Sequence, residues 1–250
     1  MNVLTVDIGN TKVKLDIWSG DKHLFHDSIE KIEMLEPEGL KDRYDVEGVI
    51  ICSVKDMDLW KYADIQNYFD NVSRFPSRPE ENYDIIESYR GQLGADRRAA
   101  FLGALTLFPE ESMLVVDAGT ALTIDYIDEK GKFCGGNISL GLEGRLRALH
   151  EYTSLLPKVS SDGEVTDFGA TTELAIRDGA YHGIVGEIKF MAEKANQKKG
   201  VDQVVMTGGD AEKIIPYLRE NGVEVFFDPY LVGRGLNADF RSQGFKYKLR

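Results

Sequence analysis

Apolar residues along this chain fall into short runs and alternating blocks, most of them closed by a polar or glycine-rich turn. Val3–Val6 is an apolar, β-branched run that stops at Asp7, and Val13–Trp18 alternates. Gly9-Asn10-Thr11 lies between them. Gly and Asn tolerate positive φ, so the opening reads as strand, tight turn, strand. Leu24–Ile29 is a third strand, and Pro37 to Asp45 a short polar helix or turn. The continuous run Gly48–Ser53 predicts a buried strand. Asp58–Tyr68 reads as a helix. From Val72 to Tyr89 the pattern weakens around Pro76 and Pro79, which predicts a loop-rich connection. A helix opens at Gly94-Ala95-Asp96-Arg97-Arg98 and runs to about Phe108, before Pro109.

The second half repeats the first. Met113–Asp117, Ala121–Asp128 and Lys132–Ser139 read as three more strands, the last two joined by the hairpin turn Asp128 to Gly131. Leu142 to Tyr152 is a helix and Pro157 to Thr171 a loop. Thr172 to Asn196 is a long helix with Ala175, Gly179, Gly183 and Gly186 on one face. Gln203–Met206 is a strand ending at Thr207-Gly208-Gly209. A helix Ala211–Glu220, a strand Val223–Phe227, a helix Leu231–Phe240 and a basic tail Phe245–Arg250 complete the chain. Each half thus opens with three antiparallel strands and continues with alternating helices and strands. That pattern predicts two α/β lobes, 1–111 and 112–250, with their Asp-bearing turns facing across a cleft where a nucleotide would sit.

Length and composition suit such a protein. The chain has 250 residues, enough for one large or two small cores, and is 42% hydrophobic and 29% charged. Its formal net charge of −12 repels phosphate, which disfavours nucleic acid and anionic membrane as partners. A local basic cluster or a metal can still reverse the field inside a cleft. Cys52 and Cys134 sit in strand-like contexts without metal-ligand spacing, and His23, His26, His150 and His182 are scattered. With no signal peptide and no long apolar run, the expected compartment is the cytoplasm.

The chemistry concentrates in a few turns. Asp7 and Asp117 each end an apolar strand and precede a Gly turn with a Thr. A carboxylate there takes a cation or its waters, while turn amides and a hydroxyl take phosphate oxygens. Either copy alone reads as an ordinary hairpin; the repetition points to a phosphate clamp. There is no P-loop, no kinase-type Gly-rich loop with His-Arg-Asp and no Gly-x-Gly-x-x-Gly. Asp96 is a candidate base for a substrate alcohol, although spacing alone first suggests a helix N-cap. Arg97 can hold a carboxylate or phosphate, or pair with an acid. Lys12 and Lys14 occupy successive outward positions of the second strand.

Asp7-Ile8-Gly9-Asn10-Thr11, Gly94-Ala95-Asp96-Arg97, Asp117-Ala118-Gly119-Thr120, Gly135-Gly136-Asn137-Ile138 with Gly141-Leu142, and Thr207-Gly208-Gly209 occur in this order. The ordered set resembles type III pantothenate kinase, a bacterial enzyme of the acetate kinase/sugar kinase/heat-shock 70/actin superfamily, from Val3 to Leu236. The resemblance implies two similar actin-like, ribonuclease H-like lobes, each a mixed five-stranded sheet with flanking helices. It implies transfer of the ATP γ-phosphoryl group to pantothenate, the first step toward coenzyme A. It also implies Mg2+ with the ATP, a monovalent cation such as K+ or NH4+, and a homodimer. Residue by residue, it makes Asp7, Ile8, Gly9, Asn10, Thr11, Lys12, Val13 and Lys14 the nucleotide loop, and Thr120 a second ATP contact. Asp96 matches the catalytic base. Gly94, Ala95, Asp96, Arg97, Thr172 and Tyr89 match substrate contacts. Asp117 matches the monovalent-cation ligand, and Asp7 would hold the divalent cation through water. Two departures stand out: the Tyr89–Gly94 segment is short and lacks a proline, and Leu140 stands where a proline is usual. The alternative is a non-catalytic nucleotide-binding regulator of the same fold, which would be expected to lose Asp7, Asp96 or Asp117. All three are present.

Overall fold

The computed structural model describes residues 1–53, 59–77 and 83–243. It contains two five-stranded mixed sheets of the same design. The first runs in the order β3-β2-β1-β4-β5, with β1 Asn2–Ile8, β2 Val13–Ser19, β3 Lys22–Ile29, β4 Val46–Ser53 and β5 Val72–Arg74. The second has β6 Met113–Ala118, β7 Ala121–Ile127, β8 Phe133–Leu140, β9 Gln203–Thr207 and β10 Phe226–Phe227, in the order β10-β9-β6-β7-β8. Numbered from its first strand, each sheet therefore has the same 3-2-1-4-5 order. Strands one to three pair antiparallel through short turns, and the fourth and fifth join parallel. Parallel pairing needs a crossover, and helices supply it: α1 Pro37–Tyr44 before β4 and α2 Leu59–Tyr68 before β5. In the second sheet α4 Leu142–Tyr152 and α5 Thr172–Lys199 precede β9, and α6 Ala211–Glu220 precedes β10.

The chain divides into two compact units, Met1–Pro109 with Tyr230–Arg250, and Glu110–Pro229. Against the sequence division at 111/112, the first boundary lies at 109/110 and the last helix, α7 Leu231–Ser242, belongs with the first unit. Its reason is a backbone-to-backbone packing on α3, Ala95–Leu107. A Cβ on Gly103 would lie 2.1 Å from the Leu231 carbonyl oxygen, and one on Gly235 would lie 1.8 Å from that of Ala99. Glycine at both positions lets the helices approach closely.

In the first unit the period-two alternation sorts the sheet into two faces. Leu4, Val6, Ile8, Leu15, Ile17, Val49 and Ile51 form one buried cluster with Ile65 and Phe69 of α2 and its flank. Each such side chain stabilises the fold by about 1.5–3 kcal/mol. Thr5, Asp7, Lys14, Asp16, Trp18 and Cys52 alternate with that cluster and share the other face, where Gly233 of α7 approaches Asp16 and Thr5. The second unit buries Leu114, Val116, Leu122 and Ile124 against Leu146, Ile184, Ile188, Met206, Ile214 and Leu218.

Several expectations change. β5 lies inside the stretch read as loop-rich; three residues carry too little periodicity to announce a strand. Val223–Phe227 shortens to the two-residue β10. The Gly9–Lys12 turn closes with a hydrogen bond from the Gly9 N–H to the Lys12 carbonyl at 3.1 Å, and neither Gly9 nor Asn10 takes positive φ. Positive φ therefore does not form that turn, contrary to expectation; a four-residue loop spreads the reversal over ordinary conformations. The start of the Asp58–Tyr68 helix and the basic tail Phe245–Arg250 lie outside the described residues.

Candidate active site

Asp7 ends β1 with Lys14 of β2 opposite on one side and Cys52 of β4 on the other. The Cys52 thiol is pushed well above its usual value, first by burial and then by the carboxylates of Asp7 and Asp96; Arg74 opposes them. Two acids thus act at the carboxyl end of the parallel pair β1–β4, the end where open α/β sheets bind ligands. Asp7 is half-buried, whereas Asn10, Thr11 and Lys12 are exposed on the adjoining turn. Lys14 is half-buried. Ile8 and Val13 are core residues paired with each other across β1 and β2, so their side chains do not reach a ligand.

Asp96 is the second residue of α3. The N-cap is Gly94, without a side-chain cap bond, so the N-cap reading of Asp96 is corrected. Its Oδ1 instead accepts from the Arg97 N–H at 2.8 Å, folded back so closely that a Cβ on Gly94 would lie 2.6 Å from it. An acid in a first helical turn is favoured by the positive end of the helix dipole. Ala95 precedes it as the first helical residue. Tyr89 closes a single 3-10 turn, Glu87–Tyr89, and its carbonyl accepts from the N–H groups of Gln92 and Leu93. The turn brings the Tyr89 ring beside α3, with the buried Arg97 guanidinium 5.5 Å from its centroid. Tyr89, Gly94, Asp96 and Arg97 are therefore one local cluster despite the short intervening segment.

In the second unit Asp117 ends β6 as Asp7 ends β1. The Gly119 N–H bonds the Ala121 carbonyl at 3.0 Å, and the Gly141 N–H bonds the Thr120 carbonyl at 3.2 Å. The turn after β9 closes over the same acid. Gly208 has φ +101°, and a Cβ there would lie 2.4 Å from the Ala118 carbonyl oxygen and 2.5 Å from Asp117 Oδ1. The turns 118–121 and 207–210 close on the half-buried Asp117 carboxylate, and the turn 140–142 packs on the first of them, where a Cβ on Gly141 would lie 1.9 Å from the Gly119 carbonyl oxygen. Thr120 is exposed at this junction. Asp210, which sequence reading did not count as a site residue, donates its N–H to the Ala118 carbonyl, and burial raises its carboxyl, with Glu143 adding and Lys213 opposing. Thr172 is the exposed first residue of α5, and Thr171 caps that helix by accepting from the Leu174 N–H at 3.2 Å.

A family profile described as type III pantothenate kinase matches residues 3–194. The chain belongs to the type III pantothenate kinase family. The family's member from Bacteroides fragilis strain YCH46 is 34% identical over 244 residues, covering 94% of this chain and 95% of that one. Among solved structures, a chain from Campylobacter jejuni described as a Baf family transcriptional activator superposes with a TM-score of 0.60 at 22% identity, covering 96% and 98% of the two chains. The activator of 2-hydroxyisocaproyl-CoA dehydratase from Clostridium difficile, with ADPNP bound, gives 0.54 at 14% identity and covers 97% of each chain. These two likenesses show a shared fold. For a type III pantothenate kinase, Asp7 and Asp96 at one strand end, and two turns closing on Asp117, are the local architecture available to the reaction.

Proposed function

We propose that this chain transfers the γ-phosphoryl group of ATP to the primary hydroxyl of pantothenate, giving 4'-phosphopantothenate and ADP. Membership in the family is the observation that carries the reading, and the retained acids Asp7, Asp96 and Asp117 support it. The reaction is followed by coupled ADP release with ATP, Mg2+ and pantothenate, with and without K+. Pantothenate-dependent ADP release is expected; its absence under all these conditions would sink the reading.

In the proposed mechanism the alcohol oxygen attacks the γ-phosphorus as the bond to the β,γ-bridging oxygen breaks. The alcohol proton passes to the Asp96 carboxylate. Phosphoryl transfer asks a protein mainly for positioning and charge stabilisation. Asp96 orients the hydroxyl, and Tyr89, Gly94, Ala95, Arg97 and Thr172 hold the substrate. The Asp7–Lys14 loop and Thr120 hold the phosphates through backbone N–H groups and exposed side chains. The ATP comes with a divalent metal ion. Asp7 and Asp117 offer the hard carboxylate oxygens that Mg2+ and K+ or NH4+ prefer, so the donor set fits both. When bound, Mg2+ neutralises charge on the phosphates.

Gly208→Ala tests the second half of the site. Its Cβ has no room beside Ala118 and Asp117, and the φ is unfavourable for alanine. We expect the KM for ATP to rise about tenfold or more, with a smaller change in the KM for pantothenate. An unchanged KM for ATP would separate Asp117 and its turns from nucleotide binding.

We also propose a cytoplasmic homodimer. Among the described residues no helix is long and apolar enough to cross a membrane. Exposed Gly179 of α5 lines one surface depression with exposed Leu140, Leu149 and Tyr152, an apolar surface suited to a second copy. A Cβ on Gly179 would meet nothing within 4 Å, so Gly179→Arg fits the isolated protomer. Light scattering after gel filtration should show a dimer for the parent and a monomer for this variant.

A further inference from the structure

The histidines that look scattered in sequence are not. β2 and β3 pair antiparallel, with Asp16 opposite His26 and Ile17 opposite Phe25; the register then slips so that Trp18 faces His23. Leu24 is the extra residue of this bulge. In a regular strand residues three apart point to opposite faces, and one added residue restores them to the same face. His23 Nε2 and His26 Nδ1 consequently converge on a single atom, Asp16 Oδ1, at 2.9 and 2.8 Å.

From this convergence we propose that Asp16, His23 and His26 form a binding site for a borderline divalent transition metal, of which Zn2+ is the type. The three donor atoms lie within 4.8 Å of one another. Zinc with bonds of about 2.0–2.2 Å in tetrahedral geometry needs donors about 3.3–3.5 Å apart, a small adjustment of these side chains. Two imidazoles and one carboxylate suit Zn2+, Co2+ or Ni2+; Mg2+ and Ca2+ prefer all-oxygen shells. On binding, each ring presents its converging nitrogen without a proton. A neutral ring does so by moving its N–H to the other nitrogen, and a protonated ring releases a proton.

The surroundings support a built site. The Asp16 side chain is 4% exposed, and a buried carboxylate costs several kcal/mol that a bound cation offsets more fully than neutral donors. Tyr230 stacks on His23 with centroids 3.8 Å apart and planes at 16°, and lies 5.0 Å from His26; Trp18 meets His23 edge-on at 4.8 Å. These contacts fix both rings. Gly233 of α7 leaves room for Asp16, since a Cβ there would lie 2.5 Å from Asp16 Oδ2. The His26 side chain is 35% exposed, which gives an ion a path in and a water a fourth position. The site is separate from Asp7: Asp16 pairs with Thr5, two residues down β1. A bound ion would staple β2 to β3 beside α7.

The test uses the full chain, stripped with a chelator, and the metal alone. Zn2+ titrated against a chromophoric competitor should bind at one site per chain with micromolar or tighter affinity, and Co2+ should give the intense visible absorption of a tetrahedral site. His26→Gln should fold, since His26 is largely at the surface. It should weaken Zn2+ at least about tenfold and abolish the Co2+ band. Asp16→Asn should do the same where it folds, which circular dichroism reports. A parent chain that binds no Zn2+ at micromolar concentration would mean a purely hydrogen-bonded triad and overturn the proposal. A His26→Gln chain that binds Zn2+ as tightly as the parent would overturn it equally.

Discussion

Asp96→Asn is expected to keep the fold and lose about 10²–10⁴ in turnover, the contribution of a positioned general base, or about 3–5 kcal/mol of transition-state stabilisation. The substitution is close to isosteric. Asp96 is not the helix cap, and the amide oxygen of Asn can still accept from the Arg97 N–H. What Asn cannot do is take the alcohol proton. Loss of chemistry without loss of binding would appear as a fall in kcat with little change in either KM. Single-turnover measurement then assigns the loss to the phosphoryl-transfer step. Near-native turnover would remove Asp96 as the base and leave it a first-turn residue favoured by the helix dipole.

Gly235→Ala should be the most damaging single methyl group in the first unit. Its Cβ would stand 1.8 Å from the Ala99 carbonyl oxygen, a backbone atom that moves only if α3 moves. Overpacking of this kind costs about 3 kcal/mol, equivalent to a Tm lowered by about 6–12 °C in a chain of this size. Gly39→Ala is the control. Gly39 lies in α1 with nothing within 4 Å of the new Cβ, and alanine there should leave the Tm unchanged or raise it. The damage at Gly235 reaches chemistry because α3 carries Asp96 and Arg97. Turnover should therefore fall in Gly235→Ala well below its midpoint temperature. A Tm equal to that of the Gly39→Ala control would mean that α3 and α7 have slack to separate.

Much of the candidate site was legible because its signals are local. An acid at the end of an apolar strand, a small turn and a Thr occupy five consecutive residues at Asp7–Thr11 and four at Asp117–Thr120. Ala211–Glu220 and Leu142–Tyr152 were legible to the residue, since turn and periodicity agree there. What escaped was mainly non-local. One local detail escaped as well: the chain enters α3 at Gly94, and the Asp96 carboxylate folds onto the Arg97 N–H. Gly208 reads as half of a Gly-Gly turn; its closure over Asp117 depends on β9 lying parallel beside β6.

The sequence by itself determined the duplicated opening of three antiparallel strands, the acids at the strand ends and the family, because alternation, turn chemistry and ordered motifs are written in neighbouring residues. Tertiary structure decided the rest. It returned α7 to the first unit through glycines that let two backbones touch. It placed Asp96 within electrostatic reach of Cys52, alongside Asp7. Through one bulge at Leu24 it turned two scattered histidines onto a single buried carboxylate. Each of these depends on which face of a strand or helix meets which neighbour, and one inserted residue or one missing Cβ is enough to change it.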